Sequence, residues 1–313
     1  MSGVLVSLVM PVWRPRSDWL HEAVASALDE DACDVELIVV DDGNDQPVAD
    51  VLADVTDPRL RILRVEHGGP YAARNAALAL ARGDYVRYVD ADDVVQAGST
   101  GRLLALAQAA GGETMAYGAT QMCDDELRPG RVVTADTEGN VSEECLLAGF
   151  EVFVVSILYP RAVLDRAGPW EETAFTVSGD WDYVLRAVEQ APVRRLDEVV
   201  SLYRRHPASV TKSARVEAGA RAGRLVLDRY FKRHPERRGS KLERRAYSNL
   251  HIDRARAHAW ARQPELALRQ LALAARRDPR ATAGAFARFC GERVVDLTAR
   301  ARRRARRAPS RAA

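Results

Sequence analysis

Through the first half of the chain, short β-branched runs alternate with segments whose apolar residues recur at helical spacing. That alternation predicts an α/β fold, a mainly parallel open sheet with helices on both faces. Val4–Val12, Val35–Val40, Arg59–Val65 and Asp84–Val89 read as strands, with Asp18–Leu28, Val48–Val55 and Pro70–Ala81 as the helices between them. Residues 98–110 read as a further helix, and Thr114–Ala119 and Phe150–Tyr159 as strands that extend the sheet. Gly168, Pro169 and Trp170 close a short helix, and Asp180–Glu189 turns Trp181, Val184, Leu185 and Val188 inward. Beyond Tyr203–Ser213 the chain becomes rich in Arg and Ala and reads as helical. Ala246–Arg262 and Pro264–Arg277 form a helix pair with the small/large alternation of a tetratricopeptide-like unit. Such units need several neighbours to bury their faces, so a single copy favours helices packed on the preceding domain. The expected division is a first domain over 1–212, an α-helical region over 213–299 and an arginine-rich tail over 300–313.

In open α/β sheets a ligand binds outside the carboxyl ends of the strands. That singles out Asp41, Asp42 and Gly43 after the second strand, and Asp90, Asp92 and Asp93 after the fourth. Three carboxylates within four residues are costly unless a cation or hydrogen-bond donors neutralise them. Mg²⁺ or Mn²⁺ takes oxygen ligands from one or two carboxylates, with phosphates and water completing the shell, so the pattern suits a bound diphosphate. The competing account is a solvated acidic turn. Gly68 and Gly69 open a helix carrying Arg74 and Asn75 on its first turns. A guanidinium at a helix N-terminus suits a phosphate, against the plainer account of a surface Arg paired with an acid.

Taken in order, these segments resemble the inverting glycosyltransferases of family 2, which have the GT-A fold. The resemblance covers about residues 3–212: Val6-Ser7-Leu8-Val9-Met10-Pro11-Val12-Trp13, then Glu36 to Gly43, Ala73-Arg74-Asn75, Gly83-Asp84-Tyr85 with Asp90-Ala91-Asp92-Asp93, Gly168-Pro169-Trp170, and Gly179-Asp180-Trp181-Asp182 with Leu185-Arg186. It implies a GT-A fold followed by a helical region, and transfer of a sugar from a nucleoside diphosphate donor, by default a uridine one, to an acceptor hydroxyl with inversion. Asp180 would be the catalytic base, Asp182 the next residue to test. Pro11, Val12, Trp13, Asp41, Asp42, Arg74, Asp90 and Ala91 would bind the nucleotide-sugar, Asp42 reading the base with Asp41 supporting it. Asp92, Asp90 and His206 would hold Mn²⁺ or Mg²⁺. The chain departs from the family pattern at Gly179, where many relatives have Glu, at Trp13-Arg14 and at Gly43-Asn44-Asp45. It also lacks the QxxRW signature of processive synthases, so one sugar or a few are expected per encounter.

Composition adds limits. Of 313 residues 47% are hydrophobic and 29% charged, enough to bury a large core and too apolar for a disordered chain. The net charge of +2 hides a division: residues 1–212 hold 19 basic and 35 acidic residues, residues 213–313 hold 27 and 9. Arg300–Arg311 has seven arginines and no acid. No apolar run nears the roughly 18 to 20 residues that cross a bilayer, and Val4–Trp13 lacks the basic flank of an export signal. Cys33, Cys123, Cys145 and Cys290 show no metal-ligand spacing, which suits a reduced, cytoplasmic chain. The expected partners are a nucleoside diphosphate sugar, a glycan or lipid-linked acceptor and, through the tail, the anionic inner face of the cytoplasmic membrane; nucleic acid is not expected. Two rivals stand beside this reading. A nucleotidyltransferase would carry a glycine- and lysine-rich loop after the first strand, where Pro11-Val12-Trp13-Arg14-Pro15 stands; a binding protein would act on nucleic acid or anionic lipid through the arginine-rich C-terminus.

Overall fold

The computed structural model describes residues 4–148, 152–206 and 216–284. By its internal contacts the chain divides into two units, Met1–Ala214 and Arg215–Ala313. The first runs β1 (Leu5–Val12), α1 (Ser17–Leu28), β2 (Asp34–Asp42), α2 (Val48–Val51), β3 (Leu60–Val65), α3 (Pro70–Leu80), β4 (Tyr85–Tyr88), β5 (Val94–Val95), α4 (Ser99–Ala109), β6 (Met115–Cys123), β7 (Pro129–Val133), α5 (Ser142–Ala148), β8 (Ile157–Pro160), α6 (Arg161–Ala167), α7 (Gly179–Val188) and β9 (Val193–Arg204).

The strands lie side by side in the order β3-β2-β1-β4-β8-β6-β9-β5, with β7 paired to β6. Over β3-β2-β1-β4 every pairing is parallel. β1 and β2 are the near-continuous apolar runs that a strand covered on both faces requires: Val6, Leu8, Val9 and Met10 are buried, as are Leu37, Ile38, Val39 and Val40. Beyond β4 the sheet is mixed. β8 runs antiparallel to both β4 and β6, β9 is parallel to β6, and β5 is antiparallel to β9. The register Val12↔Asp41 and Val9↔Tyr88 brings the carboxyl ends of β1, β2 and β4 to one edge. Pairing of Val94 with Leu202 lays the end of β9 beside the turn that follows β4.

Several boundaries differ from the sequence expectation. The second helix stops at Val51, because the β-branched, Asp-containing stretch that follows turns at Leu52. The strand expected over Phe150–Tyr159 starts only at Ile157; residues 149–151 lie outside the described residues, and Val154–Ser156 form a 3₁₀ turn. The Val155 carbonyl in that turn accepts from the Arg87 guanidinium, which also donates to Ser99 Oγ, Thr100 Oγ1 and the Val200 carbonyl. Arg87 sits fully buried in the middle of β4, and burial lowers its pKa to about 10. A charge there is tolerated because the fork is filled by these acceptors.

The second unit contains α8 (Val216–Arg233), α9 (Lys241–Trp260) and α10 (Pro264–Arg277). Ser240 caps α9, its Oγ accepting from the Glu243 amide at 3.1 Å, and the Glu243 carboxylate reaches back to accept from the Gly239 amide at 2.6 Å. α9 and α10 pack antiparallel, with Ser248 bonded to the Ala274 carbonyl and His251 to Gln270. Ala267 and Ala274 are buried on α10, where small side chains let the two helices approach. Among the described residues no helix is long and apolar enough to cross a membrane. The arginine-rich tail lies outside them.

Candidate active site

At the end of β2 two carboxylates are buried, each 1% exposed. Asp41 accepts from the Asn44 amide at 2.9 Å, Asn44 Nδ2 at 2.7 Å, the Val48 amide at 3.1 Å and Arg64 at 3.3 Å. Burial alone would raise its pKa, but these donors hold the carboxyl below its ordinary value. Asp41 is thus the internal anchor of the β2–α2 turn, in which Gly43 has φ +70° and a Cβ would lie 2.7 Å from the His67 amide. Asp42 accepts from the amides of Gly68 and Gly69 at 2.8 and 3.1 Å and from His67 Nδ1 at 2.9 Å. It ties the glycine-rich entry of α3 to the end of β2. Asn44 clamps the end of β1, donating to the Val12 carbonyl at 2.9 Å and accepting from the Arg14 amide at 2.6 Å. Beyond this clamp the exposed Trp13 ring stacks on His67 at 3.8 Å, with 19° between the planes. Pro11 is half-buried next to this end of the sheet, whereas the Val12 side chain belongs to the core and Ala91 packs against it.

The turn after β4 is built differently. Asp90 is partly exposed and accepts from Arg74 Nη2 at 2.8 Å. Desolvation raises the Asp90 carboxyl, Arg74 opposes the rise, and the charges of Asp92 and Asp180 add to it. Arg74 is buried, its guanidinium 4.8 Å from the Trp170 ring and 5.8 Å from Tyr88. It therefore faces an aromatic cluster and Asp90 rather than solvent. The Asp92 carboxylate lies within hydrogen-bond distance of His206 Nε2, at 2.8 Å. Asp93 is buried; one oxygen accepts from the Arg204 amide at 2.9 Å and the other has no hydrogen-bond partner. Burial and the neighbouring carboxylates push its pKa well up.

Asp180 stands on the exposed first turn of α7. The N-cap of that helix is Ser178, with φ +62° and no side-chain cap bond, so Asp180 is not the cap; its Oδ1 accepts from the Trp181 amide at 2.9 Å. The turn is held by Tyr71 of α3, whose Oη accepts from the Gly179 amide at 3.0 Å and whose ring stacks on Trp170. A Cβ on Gly179 would lie 2.5 Å from the Tyr71 ring, which explains why glycine stands there. Asn75 fixes the same region, bonding the Trp170 amide and carbonyl, both at 2.9 Å. Asp182 points the other way. Buried at 1%, it pairs with Arg186 at 2.9 Å, and Arg186 donates to the carbonyls of Ala167, Gly168 and Pro169. Asp182 is a structural anchor and not an alternative base.

The fold thus gathers Asp90, Asp92, His206 and Asp180 at one edge, with the Trp13 platform on the same edge at the end of β1. Asp92 offers the carboxylate oxygen that Mn²⁺ or Mg²⁺ takes, while the His206 nitrogen beside it is a poor ligand for Mg²⁺. Among the described residues no group of three or more metal-ligating side chains forms, so a cation here would need further ligands from a diphosphate and water. The sequence reading missed Tyr71, His67, Trp19 and Arg204. Only Arg204 had a local signal, its place two residues before His206.

Comparison with known proteins narrows the reading. Residues 7–147, a span that holds the β1, β2 and β4 ends, match the model of glycosyl transferase family 2. Over that span the chain is similar to that family. Among curated proteins, it is 28% identical over 218 residues to the uncharacterized glycosyltransferase EpsJ of Bacillus subtilis, 66% of this chain and 63% of EpsJ. It is 35% identical over 98 residues to the succinoglycan biosynthesis protein ExoO of Rhizobium meliloti, 31% of this chain and 28% of ExoO. The chain spans less than two thirds of the length of these relatives. Among solved structures, Staphylococcus aureus TarS 1–349 in complex with UDP-GlcNAc superposes with a TM-score of 0.59 over 88% of this chain and 92% of that one, at 16% identity, which shows a shared GT-A fold. The alternative of a binding protein acting only through its arginine-rich end finds no support in these matches.

Proposed function

We propose that this protein is a family 2 glycosyltransferase that transfers a sugar from a uridine diphosphate sugar to the hydroxyl of a glycan or lipid-linked acceptor, with inversion at the anomeric carbon. The observation that carries the reading is the meeting of Asp90, Asp92 and Asp180 at the carboxyl edge of the sheet, where Asp180 acts electrostatically on Asp90. A uridine donor is supported by the fold shared with TarS, which has been seen with UDP and with UDP-GlcNAc, and a glycan acceptor by the likeness to ExoO. In this reading Trp13 stacks on the base and the β2 turn, anchored by Asp41 and Asp42, shapes its pocket. Asp90, oriented by Arg74, faces the ribose. Asp180, on an exposed helical turn whose N-terminus favours negative charge, takes the acceptor proton as the oxygen attacks in line. One displacement needs one base and no covalent intermediate. A Mn²⁺ or Mg²⁺ ion between Asp92 and His206 would stabilise charge on the departing diphosphate.

Melting curves with UDP, GDP and dTDP, each with and without Mn²⁺, test this directly, because a ligand that binds only the native state raises the melting temperature. A rise with UDP that requires Mn²⁺ is expected; a nucleotide response indifferent to metal overturns the metal site, and no nucleotide response overturns the donor. We also place the arginine-rich tail at an anionic membrane, where each basic residue near the surface contributes about 1 kcal/mol. Deleting Arg300–Ala313 should abolish sedimentation with anionic liposomes, and equal binding with and without the tail removes this role.

A further inference from the structure

We propose that Arg204 is a positioning residue that fixes Asp92 and His206 in register with each other; the inference rests on the reading of that pair as metal ligands. Arg204 is the last residue of β9 and is 3% exposed. Its amide donates to Asp93 Oδ1 at 2.9 Å and its Nε to the Asp92 carbonyl at 2.9 Å, so one residue grips the acidic turn at two successive positions. Its Nη1 donates to the Asp125 carbonyl at 2.7 Å, on the loop between β6 and β7, and its Nη2 pairs with Glu22 of α1. The guanidinium lies 4.9 Å from the Trp19 ring of the same helix.

Two residues further on, His206 touches the same two neighbours. Its Nε2 meets the Asp92 carboxylate at 2.8 Å, and its ring packs against Trp19 at 4.8 Å. Arg204 therefore holds the backbone of Asp92 while His206 meets its side chain, and Trp19 braces both. Burying a guanidinium is unfavourable, and an apolar residue could join β9 to α1 without that desolvation. What the planar fork adds is angle: donors fixed in one plane, two of them spent on main-chain carbonyls, specify how the turn sits against the strand. A lysine at this position keeps the charge but reaches one acceptor at a time. Residues that orient ligating groups in this way are worth about 10- to 100-fold in metal affinity.

The test uses the full chain and titrates Mn²⁺, following UDP binding by calorimetry and free Mn²⁺ by electron paramagnetic resonance. Arg204→Lys should raise the Mn²⁺ midpoint at least tenfold while leaving UDP affinity at saturating Mn²⁺ unchanged, and Glu22→Gln, which loosens one anchor, should raise it several-fold. Far-UV circular dichroism and melting curves accompany both. A purely structural Arg204 would lower the melting temperature and leave the Mn²⁺ midpoint where it was, and that result overturns the inference. If Arg204→Lys does not fold, an unchanged midpoint in Glu22→Gln overturns it as well. A parent protein whose UDP binding ignores Mn²⁺ fails at the earlier step, the metal reading itself, and takes this inference with it.

Discussion

Two acidic strand ends look alike in the sequence and differ in the fold. Asp41 and Asp42 close β2 with their carboxylates buried and bonded to amides, Asn44, Arg64 and His67. Asp90, Asp92 and Asp93 follow β4 with fewer donors, one oxygen without a partner, and carboxyls at 90 and 93 pushed upward by desolvation and by neighbouring carboxylates. The first cluster has its charge neutralised from within and shapes a loop. The second leaves charge unbalanced next to the exposed Asp180, the condition in which an added cation or donor ligand gains most.

Substitutions that exchange the two behaviours put this contrast at risk, and the largest effect belongs to Asp180. Asp180→Asn should lower the transfer rate by about 10² to 10⁴ with UDP binding intact, because an amide keeps the shape and cannot take a proton; near-parental turnover would place the base elsewhere. Asp92→Ala should melt like the parent yet lose Mn²⁺-dependent UDP affinity by at least about 100-fold, because removing one of the ion's own ligands costs no less than loosening a residue that orients it. Asp41→Ala should do the reverse, costing about 3 kcal/mol in urea unfolding by leaving Arg64 and two amides without their acceptor; a parental midpoint there would erase the distinction between the clusters. The smallest effect is on pH. Since the Asp41 pKa is held below its ordinary 3.8, its contribution to stability is present above that pH and fades as pH falls through the folded value. The acid limb of a stability profile should therefore be shallower in Asp41→Asn. Asp90 and Asp93, raised instead, act in the opposite sense, stabilising the fold most when protonated and less as pH rises.

Much of this was legible from sequence because the strands that carry it are strongly patterned. β1 and β2 are near-continuous apolar runs, and the ends of β2 and β4 place Asp41, Asp42 and Asp90 with no need of tertiary information. β9 was not legible. Val193–Arg204 carries five charged residues, and its strand character comes from pairing with β6, about 80 residues earlier. Arg87 reads as a polar interruption of β4, yet its acceptors lie 12 to 113 residues away. Trp19 and Tyr71 fill ordinary helix positions, and only the fold shows that one braces His206 and the other fixes the turn before Asp180.

The contact between Tyr71 and Gly179 also bears on how such a sequence can change. The two positions are 108 residues apart and share one small volume, so a side chain can enter at 179 only if the phenol at 71 swings aside or gives way to something smaller. Substitutions at the pair are therefore coupled. A graft of glutamate at 179 has to be accommodated on the helix that follows the glycine-rich loop, far from the position being changed.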